Sequence, residues 1–307
     1  MMDCDKIIGV SIEDVVNITL LHVLPCYISC DSTQQSTARS NARVLISGKF
    51  SVMTNPTDFL TLLDRMKKPE APSPLLKEPI KIADSNDVHK FFAGITNLEP
   101  VGSEMGYQEI WLKPVLQRIL ALFASRHEGM SVTQRPTMSP SNGRTNLGRV
   151  LPDLQVKRGD DTYLVVEAKN LMHAPIGETK FHDSEANELI SVENFAKEIE
   201  KLPLTESGKT NNKFATFHQV LTQMAAFEAP LGIVVTGAHV AIFAMQVQHE
   251  TSPDRATPKV NVFCVVLDQY RIYDGKTMFG IMKDLIDAVP DLPRCALASC
   301  FHVCHPR

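Results

Sequence analysis

The chain lacks any apolar stretch of the length a bilayer crossing needs, which excludes a helical membrane span and a membrane partner. It also lacks an excess of positive charge: 31 Lys and Arg stand against 35 Asp and Glu, for a net charge of -4. A protein with that balance does not draw in a polynucleotide by its overall field, so any phosphate contact has to come from a local basic patch. No cationic segment leading into an apolar one opens the sequence, and the seven cysteines are an odd number. Both features point away from a disulfide-stapled secreted domain and toward reducing, intracellular surroundings, in nucleus or cytoplasm. Lys and Arg never cluster densely enough for an import signal, and there is neither an internal repeat nor a low-complexity tract. What remains is ordinary globular composition, 44% hydrophobic and 21% charged over 307 residues. That is room for one large domain or two smaller ones, with a core that needs no staples.

Punctuation by proline, glycine and small polar residues divides the chain. Residues 5–30 are apolar and β-branched, and DSTQQSTARSN after them reads as a loop. RVLISGKFSVM suggests a strand pair turning at Ser47-Gly48, and DFLTLLDRM a short helix capped near Thr57-Asp58. The four prolines of KKPEAPSPLLKEP sustain neither ladder and read as a linker. On that basis residues 1–75 form an accessory region with no chemistry of their own, and residues 76–307 a larger domain with a core over about 100–285.

In the larger part, SNDVHKFFAGI predicts a short helix and SEMGYQEIWLKPVLQRILALFASR a longer one, with Pro114 imposing a kink or a late start. Residues 126–149, with four arginines and two prolines, read as a mobile surface loop, and the stretch Arg126–Arg158, with six Lys and Arg against two acids, as either a phosphate-steering element or simply a soluble connection. Residues 171–213 form a polar insertion with eight acidic and five basic residues. Beyond it come a helix (KFATFHQVLTQMAAF), strands at APLGIVVTG, HVAIFAMQV and KVNVFCVVLD, and a last helix at MFGIMKDLIDAV. Helices interleaved with strands in this order predict an α/β fold, a mixed central sheet flanked by helices. The tail RCALASCFHVCHPR holds Cys295, Cys300, His302, Cys304 and His305, but their crowded spacing matches no paired zinc knuckle. His173 and His182 read as surface residues.

Chemistry concentrates in residues 151–170, LPDLQVKRGDDTYLVVEAKN. Two apolar runs joined by Arg158-Gly159-Asp160-Asp161 predict a hairpin. Strand alternation sets Glu167 and Lys169 on one side with Tyr163 and Val165, and Leu164, Val166 and Ala168 on the other. A carboxylate beside core residues is unfavourable without compensation. With the turn centred at Gly159-Asp160, Asp153 falls across from the end of the second strand, within reach of Glu167. Two converging carboxylates make a hard-oxygen site suited to Mg²⁺ or Mn²⁺, and a neighbouring lysine suits a metal-bound water.

Pro152-Asp153 followed by Glu167-Ala168-Lys169 resembles the signature of the PD-(D/E)XK nuclease superfamily, over about residues 100–245. The resemblance implies a restriction-endonuclease-like core and metal-dependent hydrolysis of nucleic-acid phosphodiesters, DNA more than RNA. It implies Asp153 and Glu167 as metal ligands, the Ala168 carbonyl as a further ligand, and Lys169 at the water. It also implies an acid on the preceding helix, Glu104 in preference to Glu109, and a glutamine on the following helix. QVLTQMAAFEAPLGIVVTG is similar to that helix leading into a Gly-containing strand and matches at Gln219. Gln223 stands one turn on, where many members carry tyrosine, and there the sequence departs from the pattern. Two other classes stay open: a catalytically inactive nuclease-fold module that binds nucleic acid or acts as an effector, and a protein-interaction domain without nucleic acid. Against both stands the bland reading, a polar hairpin edge with an ordinary surface ion pair.

Overall fold

A computed structural model describes residues 47–53, 55–68, 104–122, 127–134, 151–168, 215–235, 239–248, 259–268, 272–276 and 278–295. The linker at 69–79, the insertion at 171–213, His173, His182 and the tail from 296 lie outside these residues, as does the short helix expected at SNDVHKFFAGI. None of the helices among the described residues is long and apolar enough to cross a membrane.

The architecture is α/β. Its centre is a mixed seven-stranded sheet made of β1 (Ser47–Met53), β2 (Met130–Gln134), β3 (Leu154–Arg158), β4 (Asp161–Ala168), β5 (Leu231–Val235), β6 (His239–Gln248) and β7 (Lys259–Asp268). The order across the sheet is β1-β7-β6-β5-β4-β3-β2. β4 and β5 run parallel, as do β1 and β7; the other neighbours are antiparallel. A parallel pair needs a crossover connection, and α4 (Ala215–Phe227) lies in the one between β4 and β5.

Side chains that alternate along each strand divide between two cores. On one face, Leu154, Val156, Leu164, Val166, Ile233 and Ile242 pack against α1 (Pro56–Met66), α3 (Lys113–Leu122) and α5 (Met278–Ala288). On the other, Val165, Val234, Ala241, Phe243 and Cys264 meet Val220, Leu221, Met224 and Ala225 of α4. The sheet is therefore sandwiched between helical layers, as an amphipathic stripe on each helix requires.

Several elements differ from the sequence reading, each for a local reason. Ser47–Met53 is one strand rather than a turn at Ser47-Gly48, because its whole length pairs in register with Lys259–Val265. This strand and α1, set by sequence in the N-terminal region, join the main sheet and bury Phe59, Leu63 and Met66 in the main core. β2 falls where the sequence predicts loop: of MSVTQ only Met130 and Val132 pack toward the core, and only Val132 is fully buried, too little to mark a strand by periodicity. Pro114 leaves its mark one turn upstream. The chain runs α2 (Glu104–Tyr107), then a π-helical turn over Gln108–Leu112, in which Lys113 N–H reaches the Gln108 carbonyl. Pro114 has no N–H for the Ile110 carbonyl, and widening the preceding turn accommodates the ring. Finally, the β3–β4 register skips Tyr163, so that it joins Leu164 in the first core instead of facing with Val165. A β-bulge of one extra residue resets the alternation in this way.

Candidate functional site

The β3–β4 hairpin forms where the sequence predicts it. Gly159, at φ 57, takes the first position of a two-residue loop closed by the Arg158–Asp161 pair, a place where a positive φ suits glycine. From there the pairing runs Val156 to Leu164 and Leu154 to Val166, so Asp153 arrives beside the end of β4. Its Oδ2 accepts a hydrogen bond from the Ala168 N–H at 2.8 Å. The Asp153 carboxylate is thus fixed one residue along from Glu167, across the hairpin and at the C-terminal end of β4. Crevices outside the carboxyl ends of parallel strands are where open α/β sheets place their ligands.

Glu167 faces the α4 layer and is 2% exposed. A carboxylate so deeply placed must be hydrogen-bonded, since the desolvation of an ion is otherwise prohibitive. α4 supplies the donors. Gln219 Nε2 donates to Oε1 at 2.6 Å and Gln223 Nε2 to Oε2 at 2.9 Å. The residues lie four apart, hence on one face of the helix. Bonds to a charged acceptor contribute about 1.5–3 kcal/mol each, which offsets part of the burial.

The helix is set at this distance by its neighbours. At Gly232 of β5, a Cβ would stand 2.6 Å from both Met224 Sδ and Val220 Cγ1, so glycine is what lets α4 lie so close to the sheet. At its far end α4 stops in a Schellman arrangement: Ala229 N–H reaches the Met224 carbonyl at 2.8 Å and Glu228 N–H the Ala225 carbonyl at 3.4 Å. Glu228 adopts φ 56 there, a conformation unusual for a side chain other than glycine. Arg294 reaches the Phe227 carbonyl at 3.3 Å and Glu228 at 3.4 Å, and pairs with Asp161 at the start of β4. Helix and hairpin are thereby clamped at the end opposite Glu167.

The remaining expected residues fare differently. Lys169 lies outside the described residues, and Glu104 opens α2 with its side chain also outside them. Glu109 sits exposed on the π-helical turn and accepts from Gln134 Nε2 at 3.5 Å. Gln134 pairs with Leu154, and Leu154 with Val166, so Glu109 belongs to the same end of the sheet as Asp153 and Glu167. Gln223 went unassigned in the sequence reading; its spacing from Gln219 was the signal that could have found it. Among the described residues, no three His, Cys, Asp or Glu side chains group as a metal-binding set. At the head of the C-terminal tail, Cys295 is buried, with its Sγ donating to the Met245 carbonyl at 3.1 Å, and burial pushes its pKa up to about 12. A thiol so placed packs as a small apolar group.

Searches of family models, of curated proteins and of solved structures returned no match to this chain.

Proposed function

We propose that the chain is a divalent-metal-dependent nuclease on a restriction-endonuclease-like core, acting on nucleic-acid phosphodiesters and on DNA in preference to RNA. The observation that carries this reading is the junction of Asp153 with the Glu167-Ala168 segment, closed by the 2.8 Å bond to the Ala168 N–H. Two carboxylates and the nearby Ala168 carbonyl are hard oxygen donors, the chemistry that Mg²⁺ and Mn²⁺ take. An ionised carboxylate has about four acceptor positions, so amide donors and a cation can share one. When bound, such an ion supplies charge stabilisation and a water of lowered pKa.

In this reading Asp153 and Glu167 hold the ion, and Gln219 keeps the Glu167 carboxylate in one orientation. Lys169, the residue after Ala168, steadies the nucleophilic water or the charge that develops on the phosphate. Glu109 or Glu104 is the upstream acid; the hydrogen bond to Gln134 favours Glu109.

One observation favours a second reading. Glu167 is almost fully buried and both its oxygens accept from α4, an arrangement that also suits a nuclease-fold module that binds without cleaving. Incubation of the purified protein with plasmid and single-stranded DNA, with Mg²⁺ or Mn²⁺, separates the two. Cleavage that needs the metal and falls to background in Glu167→Gln and Lys169→Ala supports the nuclease. Salt-sensitive binding without cleavage supports the module, and neither binding nor cleavage sinks both.

A further inference from the structure

We infer that Gln223 is a positioning residue that sets the separation of the two proposed ligand carboxylates, and through it the affinity for the divalent ion. The inference rests on the nuclease reading but concerns a residue that reading leaves without a role. Gln223 is completely buried. Its Nε2 donates to Glu167 Oε2 at 2.9 Å and to the Leu151 carbonyl at 3.4 Å. A primary amide has two N–H groups, so one nitrogen can serve both acceptors.

The consequence is a closed circuit. Leu151 stands two residues before Asp153; Asp153 is bonded to the Ala168 N–H; Ala168 follows Glu167; and Glu167 returns to Gln223. Along one side the carboxylates are joined by Asp153 and Ala168, along the other by the Gln223 amide. Without that amide the segment entering β3 loses this tie to Glu167, and one side of the circuit opens.

A second observation separates this role from mere packing. Gln223 Oε1 is buried with no hydrogen-bond partner among the described residues. An unpaired buried acceptor lowers stability; an apolar side chain of the same length removes that penalty and keeps the packing, but takes the donor away from Glu167 Oε2 and the Leu151 carbonyl. Glutamine at this position therefore contributes through its N–H donors and detracts through its oxygen. Methionine, of similar length and without donors, removes both effects at once.

The test is Mn²⁺ binding by titration calorimetry on the full chain, beside thermal melting and cleavage, for the unaltered protein, Glu167→Gln and Gln223→Met. Supporting partners of ligands typically change metal affinity by about ten- to hundred-fold. The expected result is Mn²⁺ binding lost in Glu167→Gln and weakened by about that factor in Gln223→Met, whose melting temperature falls because buried Glu167 Oε2 loses a donor. Cleavage by Gln223→Met then recovers at high Mn²⁺, because the effect lies in half-saturation rather than in the rate at saturation. If Gln223→Met binds Mn²⁺ as the unaltered protein does, the inference falls while the nuclease reading stands. If the unaltered protein neither binds Mn²⁺ nor cleaves, both fall together. Should Gln223→Met fail to fold, Gln223→Asn keeps the donors on a shorter arm: a folded protein with weakened Mn²⁺ binding supports the inference. Loss of fold in both, or unweakened binding in Gln223→Asn, overturns it.

Discussion

The two faces of strand β4 make different demands on the same eight residues. Toward α1, α3 and α5 it presents Leu164, Val166 and Ala168, in line with Leu154 and Val156 of β3, and every one of these is at most 1% exposed. Toward α4 it presents Val165 and then Glu167, with Gln155 beside Val165 on β3 and Thr133 beside Gln155 on β2. The first face is apolar across the strands and stabilises by burial of area. The second is apolar over β5, β6 and β7 and at Val165 of β4, and polar at Glu167 of β4 and at Gln155 and Thr133 on β3 and β2. Polar groups in that position lower stability unless they are bonded. The difference teaches that stability and the proposed chemistry are carried by opposite sides of one hairpin. They should come apart under mutation.

The sharpest way to break this division is Leu164→Ala. Leu164 is fully buried on the apolar face, three residues from Glu167. Truncation there is expected to destabilise by about 2–5 kcal/mol, read as a lowered midpoint in urea. Cleavage per folded molecule stays close to that of the unaltered protein. Loss of activity without loss of stability in this variant would show that the faces are not independent.

A smaller effect, but one that crosses between the faces, is expected at Gly232. The added methyl of Gly232→Ala meets Met224 Sδ and Val220 Cγ1, and overpacking of this kind costs about 1–3 kcal/mol. The same displacement moves the helix that carries Gln219 and Gln223, so cleavage falls by more than the folded fraction does. A calorimetric melt beside a cleavage assay on the same sample measures both.

The smallest effect belongs to the cap of α1, on the apolar side and far along the sheet from β4. Asn55 Oδ1 accepts from Thr57 N–H at 2.9 Å, with Pro56 opening the helix. Asn55→Ala is expected to cost about 1 kcal/mol and to leave cleavage and Mn²⁺ binding unchanged. A shift in either would tie β1 and α1 to the site and blur the contrast.

Thiol chemistry gives an independent check on the layer under α4. Cys264 and Cys295 are both buried, and burial raises both thiols, Cys295 to about 12. With the thiolate form this scarce, neither reacts with an alkylating reagent at pH 8 until the protein unfolds. Mass spectrometry after brief labelling shows whether these two sites stay unmodified.

Much of this was legible in the residues themselves. The Gly-Asp loop, two apolar runs and the alternation within them located the β3–β4 hairpin and put Asp153 opposite the end of β4. The Gln219 spacing ahead of a glycine-bearing strand announced the helix that covers Glu167. What escaped had weak local signals. β2 shows two inward apolar residues, Met130 and Val132, in five. The skipped Tyr163 turned the alternation of the first half of β4, which no count of polar and apolar residues reveals, because a bulge is a property of pairing. Gln223 stands one helical turn past Gln219, a spacing that hints at a shared face, but the approach of α4 over β5 is what gives it its two acceptors.

By itself, then, the sequence determined the elements that local physics controls: turns where glycine accepts a positive φ, helices where apolar residues recur every three to four, strands where they alternate. Tertiary structure alone decided which carboxylate meets which donor, because those distances depend on strand register and on how closely α4 can lie against Gly232. Residues 52 and 56 apart in the chain, Glu167 with Gln219 and Gln223, come within hydrogen-bond reach only through the packing of α4 on the sheet.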